Sequence, residues 1–162
     1  MPVFFAMVIA ILYGSLIGAD IPWGIFFLYT GLLFSLSSAF LGIAFFISSF
    51  VKSSEVALGV AFFVWIFLLA FIDIALISLM MQQRFNEELI IAIALANPME
   101  IFRVAAISLF DPELTVMGPV AFYILDSMSQ LTFVVLSMVY PLSLGLAFAY
   151  GGFTIFKKKD LV

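Results

Sequence analysis

Few side chains of this sequence could carry chemistry, and they lie far apart. Asp73 is an ionisable residue inside a long apolar stretch. A charge in such a place is costly, so Asp73 is a candidate for an ion-coupling residue or for part of a polar pathway. The alternative is a structural carboxylate that accepts hydrogen bonds near one end of that stretch. Arg103 is a candidate charge partner, whereas Arg84 would lie about 16 Å further along the same helix, too far for a direct pair.

The run from Asn97 to Arg103 is the most distinctive motif. Asn97, Pro98 and Glu100 have the spacing of a helix start, with Asn97 as the N-cap and Glu100 at the third helical position. Glu100 and Arg103 stand one turn apart and can form an ion pair on one helix face. The motif therefore predicts a helix that begins at Pro98 and continues to about Phe110.

Many kinds of site are excluded by residues that the sequence lacks. It contains no cysteine and no histidine, which rules out thiolate metal sites, disulfides and the usual general base. It has neither the GxxxxGK[ST] phosphate loop nor the HExxH and GxSxG motifs of hydrolases. Six residues in all are Lys or Arg, which argues against nucleic-acid binding. We therefore predict no cofactor, no ATPase site and no catalytic activity for this chain.

The composition indicates lipid rather than water as the surrounding medium. Hydrophobic residues make up 66% of the chain and charged residues 10%, whereas soluble domains carry roughly 25% charged residues. A chain of this length could not hide so much apolar surface in its own core. We predict an integral protein of the cell membrane, in contact with membrane lipid.

Four apolar stretches are long enough to cross the hydrocarbon core as helices, which takes about 20 residues each. They cover about 3–19, 25–50, 56–81 and 131–156. The predicted fold class is therefore an all-α, polytopic membrane helical bundle with four transmembrane helices. Residues 1–162 form a single domain in this prediction.

The segment from about 82 to 130 is predicted to lie on the outer side. Its central part is apolar enough for a fifth span, but Glu100 and Arg103 would then lie near the middle, where each charge costs roughly 2.5–3.5 kcal/mol. Short outer interfacial or re-entrant helices explain the pattern better. We place them over about 87–96, 97–110 and 118–126.

Basic residues predict the orientation, because cytoplasmic loops are enriched in Lys and Arg. Lys52 lies in the short link between the second and third spans, and Lys157, Lys158 and Lys159 follow the fourth. Four alternating spans place these lysines and both termini on one side. We therefore predict a multi-pass protein with both termini in the cytoplasm.

Small residues recur at helical spacing in three of the predicted spans. Such rows let helix backbones approach closely. They are candidates for a subunit or conduit interface, and equally for ordinary packing inside one bundle. The rows are Gly14 and Gly18 in the first span, Ser38 and Gly42 in the second, and Ser143, Ala147 and Gly151 in the fourth.

Together these features resemble ABC-type-2 permeases, and among them the membrane subunits of nitrous-oxide-reductase maturation transporters. The resemblance lies in Asn97-Pro98 followed by Phe102-Arg103, in the Lys52-Ser53-Ser54 link before a span with Trp65 and Asp73, and in the basic run before Asp160-Leu161. It covers almost all of the chain but only the last four of the family's six spans. The resemblance thus implies that the chain is a fragment of a six-span subunit.

The resemblance also implies partners and roles. Two permease subunits would pair as a homodimer, each bound to a cytoplasmic ABC ATPase subunit that supplies the energy for moving or releasing a substrate. Lys52, Ser53, Ser54 and Glu55 would contact the ATPase. Asn97, Pro98, Glu100 and Arg103, with Asp73, would form the outer gate or a polar pathway.

Two other functions fit the residues. One is a membrane scaffold that anchors a partner and transports nothing. The other is a small ion-coupled carrier that uses Asp73 as the coupling carboxylate. Such carriers often contain inverted repeats and broken helices in matching positions, and the sequence shows neither.

Overall fold

The computed structural model describes residues 2–71, 74, 78, 87–110 and 129–159. Every regular element within these residues is helical, which confirms the all-α class. One helix, α3, continues as a π-helical turn over Phe67–Phe71. The helices are α1 (Pro2–Leu16), α2 (Trp23–Phe50), α3 (Ser54–Ile66), α4 (Glu87–Ala96), α5 (Pro98–Phe110) and α6 (Gln130–Lys159).

Within the described residues, two helices are long and apolar enough to cross a membrane. α2 has 28 residues and α6 has 30, and both carry long apolar windows. α1 and α3 are shorter apolar helices. Beyond Phe71, all of the third predicted span except residues 74 and 78 lies outside the described residues, including Asp73, as does the helix predicted over 118–126. The second and fourth spans are therefore long enough to cross, and the other two stay predictions.

α1 ends earlier than the first predicted span, and Gly18 is the reason. Gly18 has a φ of 72°, a left-handed conformation that suits glycine. Its N–H donates to the Ser15 carbonyl at 3.3 Å, and the Ala19 N–H donates to the Gly14 carbonyl at 2.9 Å. These two bonds are the Schellman pattern that closes a helix. Gly18 therefore terminates α1 instead of continuing a row of small residues with Gly14.

α2 and α6 form the main helix pair, and their backbones touch. Gly42 and Gly145 are both buried at the contact. A Cβ atom on Gly42 would lie 2.7 Å from the Gly145 Cα, and one on Gly145 would lie 2.6 Å from the Ser38 carbonyl carbon. Real Cβ atoms do not approach other atoms so closely, so both positions require glycine. We call Ser38, Gly42 and Gly145 the glycine seam.

The contacts along this pair show that the two helices run parallel. Residue numbers rise together on both helices, from Gly31 beside Met138, through Gly42 against Gly145, to Phe46 packed on Phe148. The C-terminal ends of α2 and α6 consequently lie at the same end of the bundle. Lys52 follows the end of α2, Lys157 lies in the last turn of α6, and both are exposed there.

The core of the described residues lies toward the opposite end of α2 and α6. It is built where α5 packs between these two helices, and its buried members are Leu32, Ile101, Val104, Ala105, Ala106, Phe133 and Val134. Tyr29 of α2 adds ring contacts to Phe102 and Phe110 of α5. α3 contributes no buried residue and packs mainly on α2.

α4 and α5 form a helical hairpin that enters this bundle. Near the end of α5, the Gln130 side chain at the start of α6 donates to the Ser108 carbonyl. At the other end of the hairpin, Tyr140 of α6 donates to the Ala96 carbonyl. α5 is therefore antiparallel to α6. We call the Ala96–Asn97 junction the hairpin tip, and it lies about 15 Å along α6 from Gln130 at 1.5 Å per residue.

Candidate functional site

Asn97 forms the centre of the hairpin tip and starts helix α5. Its side chain is buried, with 2% of the residue exposed. The Asn97 Oδ1 accepts a hydrogen bond from the Met99 N–H at 3.0 Å, which caps the first turn. The Asn97 N–H donates to the Ala94 carbonyl at 3.1 Å, so the chain turns sharply between the two helices. α5 begins at Pro98, as its sequence pattern predicts.

The same side chain also binds helix α3. The Asn97 Nδ2 donates to the Leu68 carbonyl at 2.8 Å, inside the π-helical turn. At the entry to this turn the Phe67 N–H is shared between the Phe63 and Val64 carbonyls, so the regular hydrogen-bond ladder is disturbed. π-Helical turns are rare and occur often at functional sites. Asn97 therefore joins a capped helix start to the irregular part of a neighbouring helix.

Helix α6 holds the tip from the other side. The Tyr140 hydroxyl donates to the Ala96 carbonyl at 2.6 Å. Ala96 is the last residue of α4, where carbonyls lack a donor from their own helix. The hairpin tip is thus bound by side-chain hydrogen bonds to both α3 and α6.

Tyr140 stands directly before Pro141, a buried proline inside α6. Proline lacks the N–H that a helix needs at this point, so the local ladder is weakened. Ser35 of α2 donates its hydroxyl to the nearby Met138 carbonyl. A side chain of α2 therefore supports the backbone of α6 three residues before the proline.

Glu100 and Arg103 form the predicted ion pair on α5. The Arg103 guanidinium nitrogen lies 2.6 Å from the Glu100 carboxylate, whose side chain is 11% exposed, whereas that of Arg103 is 47% exposed. A carboxylate this buried requires a compensating charge, because removing it from water is costly. The two opposite charges neutralise each other about one helical turn from the hairpin tip.

The structure thus brings together four of the predicted gate residues: Asn97, Pro98, Glu100 and Arg103. Asn97, Pro98 and Glu100 are buried, and Arg103 is exposed. Asp73, the remaining candidate for a polar pathway, lies outside the described residues. The predicted ATPase contact lies far from the tip, where Lys52, Ser53, Ser54 and Glu55 are all exposed at the α2–α3 link.

The predicted rows of small residues contain both residues in helix contacts and residues that are exposed. Gly42 is buried in the glycine seam, and the Ser38 carbonyl contacts Gly145 there. Gly151 lies beside the Phe46 ring, and a Cβ atom added to Gly151 would lie 3.1 Å from that ring. Ser143 and Ala147 are exposed on α6.

Sequence reasoning missed Tyr140 and Gly145. Gly145 and Gly152 stand two turns apart on α6 and face α2, so glycine spacing alone contained the signal for this face. The signal for Tyr140 was its position before Pro141. It places a hydroxyl group beside a proline that interrupts an apolar helix. The Leu68 carbonyl had no sequence signal, because any residue supplies a carbonyl.

Comparisons of the chain with protein-family models, with curated proteins and with solved structures find no match. The functional argument therefore depends on the residues and on their geometry.

Proposed function

We propose that this chain is a membrane-spanning permease subunit of an ATP-binding-cassette transporter. It would move or release a substrate with ATP hydrolysed by a separate cytoplasmic subunit. The observation that carries the proposal is the hairpin tip, a turn between two helices whose polar groups are bonded to α3 and α6. Two further features support it: the outward apolar surface of the helices and the position of the lysines.

The outward surface of the helix pair fits contact with lipid. Phe27 and Leu41 of α2 are 66% and 71% exposed, and Leu146 of α6 is 64% exposed. In water such a surface would favour aggregation, whereas acyl chains solvate it. Because α2 and α6 run parallel, the exposed Lys52 and Lys157 mark one end of the bundle, as the positive-inside rule requires of a cytoplasmic face.

The four-span topology follows if α1 and α3 also cross. α3 with its π-helical turn runs from Ser54 to Phe71 and is about 27 Å long at 1.5 Å per residue. That length approaches the hydrocarbon thickness of about 30 Å. α1 is shorter, and a short helix is accommodated by local thinning of the bilayer.

In this topology the hairpin tip is re-entrant. Leu68 lies about 21 Å along α3 from Ser54, so its partner Asn97 would lie inside the outer half of the membrane. Backbone that is not helical at such depth must have its polar groups satisfied by protein or line a cavity. Asn97 and Tyr140 provide these hydrogen bonds to the Leu68 and Ala96 carbonyls.

A re-entrant hairpin with a buried polar tip favours transport over passive anchoring. An anchor needs only apolar helices, whereas a transporter needs irregular backbone and charges beside its pathway. Asn97, Pro98, Glu100 and Arg103 would shape the outer gate. Lys52 to Glu55 would contact the ATPase, since these residues are exposed at the end opposite to the hairpin. A second copy of the subunit would complete the pathway.

The topology can be tested with single cysteines, because the chain contains none. Cysteines in place of Lys52 and Lys157 should react with a membrane-impermeant maleimide only from the cytoplasmic side. Cysteines in place of Ala19 and Ser129 should react only from the outer side. Labelling of Lys157→Cys from outside would contradict the four-span arrangement.

The proposed function predicts an ABC ATPase gene beside the gene of this chain, and it can be tested by expressing the two proteins together. We expect a membrane complex whose ATP hydrolysis depends on this chain. Exchanging the charges as Lys52→Glu with Glu55→Lys should release the ATPase, and Lys157→Glu with Lys158→Glu at the same end should not. A complex that resists the first pair of changes would contradict the assigned contact. Proton-linked uptake by the chain alone, abolished by Asp73→Asn, would establish the carrier function instead.

A further inference from the structure

A groove between α2 and α3 belongs neither to the hairpin tip nor to the ATPase contact. It has a volume of about 410 Å³. It is lined by Leu36, Phe40 and Ala44 of α2, by Ala61 and Trp65 of α3 and by Met99 of α5. The size falls within the range of ligand sites, roughly 300–1,000 Å³.

The lining determines which ligands the groove would accept. Leu36, Phe40 and Met99 are apolar, and the two alanines leave room beside them. Ser37 and Trp65 are the lining residues that carry a polar group, and no charged side chain of the described residues lines the groove. A hydrophilic solute would lose its hydration there without adequate replacement. The groove therefore suits a flexible hydrocarbon chain.

The groove points toward a positive charge at the end of the bundle. Ala44 lies about 12 Å from Lys52 along α2, and Ala61 lies at a similar distance along α3. Lys52 is exposed at the link between the two helices that form the groove. Lys157 and Lys158 are exposed at the same end of the bundle. Glu55 is the acidic residue of the first α3 turn, so Lys52 and the lysines of α6 leave an excess of positive charge.

We propose that this groove binds one acyl chain of an anionic phospholipid from the leaflet on the Lys52 side. The headgroup phosphate would lie at Lys52, and the chain would extend along α2 past Ala44 and Phe40 toward Trp65. The lipid would fill the space between α2 and α3 that the described side chains leave open. The proposal rests on the membrane-spanning part of the proposed function, and it is tested on the chain without the ATPase because Lys52 is also assigned to the ATPase contact.

Trp65 provides a direct probe of the groove. Trp23 and Trp65 are the two tryptophans of the chain, so Trp23→Phe leaves Trp65 as the sole fluorophore. This variant would be reconstituted in bilayers that contain phosphatidylglycerol or phosphatidylcholine with brominated acyl chains. Bromine quenches indole fluorescence on contact. The relative affinity of each lipid follows from quenching as a function of its mole fraction.

We expect phosphatidylglycerol to quench Trp65 at lower mole fractions than phosphatidylcholine. Lys52→Gln should reduce the preference about five-fold, the factor that one lysine near an anionic surface contributes. Lys157→Gln, at the same end but on α6, should change it little. Ala44→Phe should fill the groove and reduce quenching by both lipids, whereas Ala147→Phe on the exposed face of α6 should not. Ala61→Leu repeats the filling from α3 if Ala44→Phe fails to fold.

Equal quenching by both lipids, unchanged by Lys52→Gln and Ala44→Phe, would overturn the lipid site, because Trp65 would then contact only the bulk annulus. Absence of quenching by any brominated lipid would also overturn the lipid site, because Trp65 would then be shielded from acyl chains. The membrane-spanning function is tested separately by the cysteine labelling, so the two failures are distinct.

Discussion

The glycine seam and the hairpin tip hold the molecule together by different means. At the seam, Gly42 and Gly145 remove side chains so that two helix backbones touch. At the tip, Asn97 and Tyr140 use side chains to bond backbone carbonyls that have left the regular ladder. Lipid provides no hydrophobic force between helices, so close packing and hydrogen bonds are the interactions that remain. The difference shows that regular helices can pack closely where side chains are absent, whereas irregular backbone needs polar side chains that bind its carbonyls.

The strongest test of this comparison is Gly145→Leu at the seam. The Cβ atom alone would meet the backbone of Ser38 and Ala39, which cannot move without separating α2 from α6. We expect a loss of about 3 kcal/mol or more in the free energy of unfolding, the upper end of overpacking costs. Reversible unfolding in mixed micelles, followed by circular dichroism, measures it.

Gly59→Leu is the matched control for that change. A Cβ on Gly59 of α3 meets no atom within 4 Å, so the leucine has room. We expect this variant to be as stable as the parent chain or slightly more stable, because leucine favours helix over glycine. Equal losses at Gly59 and Gly145 would show that the seam has no special role.

The second test is Asn97→Leu at the hairpin tip. It removes the cap of α5 and leaves the Leu68 carbonyl without its side-chain donor. We expect a loss of about 2–4 kcal/mol, from a lost cap of about 1 kcal/mol and about 1–3 kcal/mol for the part-buried carbonyl that loses this donor.

Asn97→Asp separates the two contributions. A carboxylate can cap α5 but cannot donate to the Leu68 carbonyl. Hydrogen exchange at the amides of Phe63 to Phe71 should therefore rise in both variants, while α5 is protected in Asn97→Asp alone. Unchanged exchange in the π-helical turn would contradict its stabilisation by Asn97.

A smaller effect is expected from Tyr140→Phe. The change deletes the hydroxyl that donates to the Ala96 carbonyl and leaves the ring in place. Hydrogen bonds between membrane helices contribute about 0.6 kcal/mol on average and at most about 1.7 kcal/mol, and we expect a value near the middle. Tyr150→Phe on the exposed face of α6 is the control, and its unfolding midpoint should not shift.

The smallest effect is expected from Ser35→Ala, close to the seam. The Ser35 hydroxyl donates to the Met138 carbonyl, but that carbonyl also has the Leu142 N–H as its regular helical donor. We expect a loss below about 0.6 kcal/mol, the average for such bonds. A loss larger than that of Tyr140→Phe would show that polar groups matter as much at the seam as at the tip.

Several features were predictable from local patterns. Asn97 and Pro98 predict the start of α5, and the Glu100–Arg103 pair follows from helical spacing. The apolar runs predict α2 and α6 within a few residues of their observed ends. In contrast, Gly18 ends α1 although it stands in a GxxxG pattern, because the pattern carries no information on where a helix stops.

The sequence by itself determined the all-helical class, the apolar outer surface and the position of the hairpin turn. These properties depend on residue type and on spacing within about one helical turn. Only the tertiary structure decided that α2 meets α6 through Gly145, that Asn97 reaches the Leu68 carbonyl, and that a groove opens between α2 and α3. Each of these depends on which helix faces are neighbours. The contacts of Gly145 and of Asn97 also involve backbone groups of the partner helix, which are alike in every residue and give no signal in the sequence.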